Sequence, residues 1–238
     1  MDGDWNLRGC RWNDPSRLRT VQDVVDLIHR VGFLSLFSVE VPGMSVEERV
    51  PASIWWTDDE ETDPWCWRMQ IAKRDDIAYG KFFGRKAGFI SKKWFPVFAN
   101  YRRDGYDYEG FYEDGKMKGG AKRILDTLEL DEDAVGLEKM SGQIRKEAGV
   151  EKGFDGLLID LQMQSFLLIS RFQQKKNKRG EVYGWHLPSF MTPETKWGYD
   201  FVNCADEKPN ESLYRMEEQI RRCFPDADDK KIRKVLRR

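Results

Sequence analysis

Residues 153–187 constrain the fold of this chain more than any other stretch. Phe154, Leu157, Leu158 and Leu161 recur at i, i+3, i+4 and i+7, the spacing of one apolar helix face. Phe166, Leu167, Leu168 and Ile169 follow as an apolar run of strand length. Gln173, Gln174, Lys175, Lys176, Asn177, Lys178 and Arg179 are polar and rich in cations, and Gly180 closes them as it would close a hairpin loop. Val182, Tyr183, Trp185 and Leu187 supply the return strand.

A helix feeding a two-stranded basic flap is the core of a winged helix, and that unit points to nucleic acid. Other helices flank it. Thr20 is placed to cap one, with Asp23 in the capping-box position and Val21, Val24, Val25 and Ile28 on the apolar face. Trp94, Val97, Phe98 and Tyr101 space another, which tolerates Pro96 only in its first turn. Ile124, Leu125 and Leu128 begin a third, and a further one lies within 135–147. Leu213, Met216 and Ile220, then Ile232, Val235 and Leu236, space two more, the last capped by Asp226 or Asp228. Residues 101–120 are rich in Gly, Asp, Tyr and Lys and read as a linker.

The fold class is therefore α+β, mainly helical, with winged-helix units and short antiparallel hairpins. Residues 1–19 read as an N-terminal arm and 20–118 as an aromatic-rich domain of degenerate winged-helix type. Residues 119–198 form the winged-helix domain, and 199–238 a helical extension.

Lys and Arg number 40 against 41 Asp and Glu, for a net charge of −1. Such a balance excludes a whole-molecule footprint for a polyanion and confines any nucleic-acid surface to a patch. Cys10, Cys66, Cys204 and Cys223 are isolated, and only His29 and His186 accompany them. That pattern predicts no metal site, no cofactor and no disulfide scaffold. The chain start lacks a signal-peptide pattern, and no apolar run reaches membrane-spanning length, so a cytoplasmic protein without membrane contact is expected. The acidic run at 58–63 reads as a solvated loop.

Of nine tryptophans, four cluster at Trp55–Trp56 and at Trp65 and Trp67. Core filling is the first explanation for such rings, and a stacking platform for bases the second. Lys81, Arg85, Lys86, Arg102 and Arg103 interleave with aromatics and are expected at the surface, where they would face a nucleic-acid backbone. Arg171, Lys175, Lys176, Lys178 and Arg179 form the second half of that surface, on the flap. Five phosphate contacts from the flap imply a log–log salt slope of about −4.5. The outward helix positions Asp155, Gly156, Ile159, Asp160 and Met163 carry acids and apolar groups. That face is expected to pack on a neighbour, and its Ile159/Met163 part suits a protein partner.

The run of Lys81, Phe82, Phe83, then Ala87, Gly88, Phe89, Ile90, then Trp94, Phe95, Pro96, Val97, Phe98 and Arg102, Arg103 resembles the middle of the winged-helix DNA glycosylases of the AlkZ/YcaQ type. The order of later elements is similar too, so the resemblance covers residues 79–190. It implies DNA as partner and excision of alkylated or crosslinked bases. In that family a Gln-x-Gln or Gln-x-Asp pair after the first helix carries the chemistry. Here the matching positions hold Ser35 and Phe37, and the pair is absent. Gln162 and Gln164 lie elsewhere, on a helix, where residues two apart point about 200° away from each other.

Two readings follow. One is a DNA-binding relative of the glycosylases, and any enzymatic activity in it would be hydrolysis of an N-glycosidic bond, with Glu40, Glu47 or Glu48 as carboxylate. The other is a protein-interaction scaffold with no DNA role.

Overall fold

The computed structural model describes residues 7, 9–129, 138–177 and 179–237. Helix α1 (Val21–Val31) begins at the expected capping box. The Asp23 N–H donates to Thr20 Oγ1 at 3.2 Å, and the Thr20 N–H donates to Asp23 Oδ2 at 3.0 Å. Gly32 ends the helix at φ 86°, where a Cβ would meet the Trp94 ring at 2.5 Å. Only glycine fits both the dihedral and the space.

Strand β1 (Phe33–Ser35) follows, then single 3₁₀ turns at Glu47–Arg49 and Ala52–Ile54, then helix α2 (Pro64–Ala72). Strands β2 (Ile77–Phe83) and β3 (Lys86–Ser91) form a hairpin, and β1 pairs with β3 to give an antiparallel sheet of order β1-β3-β2. The sequence reading places no strand over 77–91. The reason is burial: β2 is covered on both faces, so its apolar residues do not alternate with polar ones.

Helix α3 (Phe95–Arg102) carries Pro96 in its first turn, as required. The segment read as a linker holds helix α4 (Tyr108–Glu113), and it packs inward through Phe111 and Met117.

The expected helix-and-flap unit is present. Its elements are α5 (Gly119–Glu129), β4 (Lys139–Met140), α6 (Ser141–Ala148), α7 (Phe154–Met163), β5 (Leu168–Lys176) and β6 (Val182–Met191). Residues 130–137, part of the helix expected over 135–147, lie outside the described residues, as do most of residues 1–8. The second sheet has order β4-β6-β5 and is antiparallel. Both sheets thus run first strand, third strand, second strand, although the sequence shows no repeat.

The flap is longer than its apolar residues suggest. Residues 173–176, read as loop, pair with β6 across a register shift, Gln173 opposite Leu187 and Lys175 opposite Tyr183. The turn closes on Asn177, whose Oδ1 accepts the N–H groups of Arg179 at 2.9 Å and Glu181 at 3.0 Å.

Helices α8 (Pro193–Trp197), α9 (Tyr199–Val202), α10 (Pro209–Cys223) and α11 (Asp229–Leu236) complete the chain, with Asp228 capping α11. One continuous cluster of buried apolar side chains runs from Leu18 to Leu236. Among the described residues no helix is long and apolar enough to cross a membrane.

Arg102 and Arg103 require a correction. The sequence reading puts them on the surface, yet they are 2% and 1% exposed. Arg102 donates to the Phe82 carbonyl at 2.8 Å and to the Arg237 carbonyl, with its guanidinium 4.8 Å from the Phe98 ring. Arg103 pairs with Glu194, donates to the Ser165 carbonyl at 2.9 Å and stacks on Phe166. The cations thus tie α3 to β2, to the segment between α7 and β5, and to the C-terminal elements.

Arg103→Ala removes one partner of a largely desolvated pair and is expected to cost about 2–4 kcal/mol. Urea unfolding measures it, and a loss within about 0.5 kcal/mol, the range of ordinary surface substitutions, would show that the pair is not structural.

Candidate functional site

A cleft of about 910 Å³ opens between the first sheet and the foot of the β5–β6 flap. Helix α2 builds its floor. Asp63 caps α2 by accepting the Trp65 N–H at 2.7 Å, and Pro64 occupies the first helical position. Trp65 and Arg68 are then i and i+3 on one face, so the guanidinium lies 3.4 Å from the indole centroid. Phe172 of β5 approaches the same guanidinium at 4.6 Å. Tyr79 of β2 lies 6.0 Å from Phe172, and Phe37 lies 6.2 Å from Trp65.

Arg68 is 6% exposed. Its partners are the Trp65 carbonyl oxygen, the Tyr79 hydroxyl and the two rings, none of them a carboxylate. Burial lowers its pKa, but a guanidinium stays charged at any working pH. Burial also pushes the Tyr79 phenol up to about 12, with Arg68 pulling it the other way. Tyr79 is therefore a neutral hydroxyl at neutral pH.

The three acids weighed from the sequence now separate. Glu48 is occupied by Ser45 Oγ at 2.6 Å and the Gly43 N–H at 3.0 Å. Glu40 pairs with Lys234 at 2.9 Å, a bond that holds its carboxyl below the usual range. Glu47 is buried in the cleft wall, where Oε2 accepts the Ser38 N–H at 2.7 Å.

Lys81, Arg85 and Lys86 line the same cleft, as the sequence reading groups them. The Arg85 guanidinium pairs with Asp160 of α7 at 3.2 Å, and Lys86 Nζ donates to the Ser38 carbonyl. On the flap, Lys175 and Arg179 are exposed. Arg171 pairs with Glu138 of the adjoining segment. Lys178 and the side chain of Lys176 lie outside the described residues. Val182, Tyr183 and Trp185 project from the flap as well, Trp185 with 85% of its surface exposed. Arg102 and Arg103 take no part.

Ser35 is fully buried and donates to the Phe37 carbonyl at 2.6 Å. Gln162 is spent on structure: Oε1 accepts the Lys81 N–H at 3.1 Å and Nε2 donates to the Leu158 carbonyl at 2.9 Å. The outward face of α7 packs on the β2–β3 turn, where the Arg85 N–H reaches Met163 Sδ at 3.2 Å. Arg68, Tyr79 and Phe172 escaped the sequence reading. The Asp63-Pro64 helix start with Trp65 and Arg68 three apart was a usable signal for the first; nothing in the sequence marked the other two.

Across Phe172 lies a second cleft of about 640 Å³, lined among others by Lys73, Asp75, Glu138, Arg171 and Lys196. Lys196 Nζ donates to the Ile77 carbonyl at 2.9 Å, and burial pushes the amine down to about 8. Among the described residues no three His, Cys, Asp or Glu side chains are grouped to hold a metal.

A family model described as AlkZ related matches residues 18–237. The chain belongs to the AlkZ-related family. That match extends the resemblance seen over 79–190 to both sheets and the C-terminal helices. No curated protein matches the chain. Among solved structures, Streptomyces sahachiroi DNA glycosylase AlkZ aligns at 10% identity with a TM-score of 0.45, over 93% of this chain and 60% of that one. This family member thus spans 60% of that glycosylase's length.

The Lys196 amine gives a pH test. Unfolded, it titrates near 10.5; folded, near 8, so between these values the unfolded state binds more protons and stability rises with pH. Lys196→Met removes that rise. Unfolding midpoints at pH 7.5 and pH 10 should therefore differ more for the parent than for the variant, and parallel pH dependences would contradict the burial of the amine.

Proposed function

We propose that this protein binds DNA, with its two helix-and-hairpin units acting as winged helices and the aromatic cleft accepting an unstacked nucleobase. The observation that carries this reading is the position of the cleft. It opens at the foot of the same flap that extends Lys175 and Arg179 into solvent. A polyanion lying along the flap would pass the mouth of a pocket floored by Trp65, Phe37 and Phe172. Its volume falls in the range of small-ligand sites, roughly 300–1,000 Å³. Taking a base out of the stack costs a few kcal/mol, and stacking on aromatic rings returns about 1–3 kcal/mol per base.

Flap contacts position a duplex without reading its sequence. Each phosphate contact adds about 0.9 to the log–log salt slope. Replacing both Lys175 and Arg179 with Ala should therefore lower the slope by about 1.8 and weaken binding equally across duplex sequences. A slope unchanged in the double variant, or binding insensitive to salt in the parent, would remove the flap from the interface.

Excision of the bound base is a second reading, and Glu47 favours it. Neither member of the usual pair is present: Ser35 is sealed in the sheet and Phe37 offers only a ring. Glu47 is a carboxylate in the cleft wall that accepts the Ser38 N–H, and in this reading it polarises the water that attacks the sugar carbon. Duplex carrying alkylated bases should accumulate abasic sites with the parent protein and at least about 10²-fold more slowly with Glu47→Gln. No abasic sites at high protein excess would leave binding without excision.

The scaffold reading keeps the balanced charge and the absent Gln pair, but part of its helix face is already in contact within the chain. Met163 and Asp160 contact the β2–β3 turn through Arg85.

A further inference from the structure

The second cleft holds an amine that the DNA reading leaves without work. Lys196, in the last turn of α8, lines this space of about 640 Å³ and keeps part of its surface exposed. One N–H is spent on the Ile77 carbonyl at 2.9 Å, and the Trp197 ring centroid lies 5.3 Å from Nζ. The acids that reach the amine, Asp75 and Asp76, act through space, and Asp76 is itself paired with Arg74 and His29. Lys92 opposes their pull, burial outweighs it, and the amine falls from 10.5 to about 8.

An amine in that range is about one-quarter free base at pH 7.5, against about one part in a thousand for a solvated lysine. Desolvation of this kind is a recognised route to a nucleophilic lysine, and carbonyl carbon is its usual target. The Ile77 carbonyl holds one N–H and leaves the nitrogen lone pair to an incoming electrophile.

The rest of the lining says what kind of carbonyl compound would fit. Lys73 and Arg171 stand against Asp75 and Glu138, and Gln173 and Thr195 add neutral polar groups. Donors and acceptors together suit a ligand rich in hydroxyls. Arg171 and Glu138 are paired with each other, whereas Lys73 is exposed and, among the described residues, in no ion pair, so it suits a phosphate on the same ligand.

We propose that this cleft captures a hydroxylated aldehyde, the open-chain form of a sugar, as a Schiff base on Lys196. The Nζ lone pair attacks the aldehyde carbon, and the carbonyl π pair moves to oxygen. A proton passes from nitrogen to that oxygen to give the carbinolamine. A proton from solvent then takes the hydroxyl away as water, and the protonated imine keeps one N–H for the Ile77 carbonyl. A free sugar phosphate and the ring-opened abasic deoxyribose of a DNA strand offer the same aldehyde. Phe172 walls both clefts, so a strand at the first lies beside the second. The DNA source alone rests on the proposed function, and the test has two arms.

The 238-residue chain is incubated at pH 7.5 with glyceraldehyde 3-phosphate, or with a duplex carrying one abasic deoxyribose. Cyanoborohydride in each arm reduces the imine to a stable secondary amine, and peptide mass mapping locates it. Lys196 is expected to carry at least about ten times the label of any other lysine in one arm or both. Label from the free aldehyde alone identifies a small sugar phosphate as the ligand class, and label from the duplex identifies the abasic site. Lys196→Arg keeps a donor for the Ile77 carbonyl but has no amine to form the imine, and should lose the label at that position while other lysines keep theirs. Mapping of the parent needs no variant, so it stands even if Lys196→Arg misfolds. Label spread over the lysines according to their exposure, or absent in both arms, overturns the proposal. Duplex binding is read separately from its salt dependence, so failure of the DNA reading leaves the free-aldehyde arm intact.

Discussion

The docking of α7 against β2 is the contact on which the rest of the molecule depends. Gln162 is 2% exposed and joins its own helix to the β2 backbone with both ends of its amide. A buried amide bonded in this way costs several bonds' worth of desolvation if either partner leaves, so the two sheets are held at a defined spacing. Asp160 and Met163 extend the contact to Arg85. The result is that Phe172 of the second sheet reaches Tyr79 and Arg68 of the first. The cleft is the space left between these side chains.

Charge is distributed to match. The chain is nearly neutral, yet its cations fall into two populations with different work. Arg102 and Arg103 are internal braces, bonded to carbonyl oxygens and to Glu194. Lys175 and Arg179 are solvated at the end of a flap, away from the acidic partners that engage Arg85 and Arg171. Between them sits Arg68, buried like a brace but opening on a cleft. No carboxylate touches this guanidinium, and Asp63 acts on it only through space.

Elements with one exposed and one buried face were legible in the sequence. The Thr20 capping box, the α7 stripe, the Pro96 helix start and the basic flap all follow from periodicity or turn chemistry. The β2–β3 hairpin was not legible, because a strand covered on both faces loses its alternation. The flap was foreseen but shortened, since Gln173 to Lys176 are polar on both sides of a strand that projects into water. The site was half legible. Lys81, Arg85 and Lys86 do gather at one cleft. Arg102 and Arg103, next to them in the pattern, turn inward, and composition alone cannot separate an arginine that braces a core from one that faces solvent. Phe172 acquires its role only from tertiary packing.

The central claim is that flap and cleft form one surface for DNA. Amide hydrogen exchange of the 238-residue chain, with and without a short duplex carrying an unpaired base, addresses it directly. The account predicts slowed exchange in two separated segments together, residues 173–183 on the flap and residues 37–40 with 79–86 at the cleft. Protection confined to one of them, or appearing instead on α10 and α11, would contradict it.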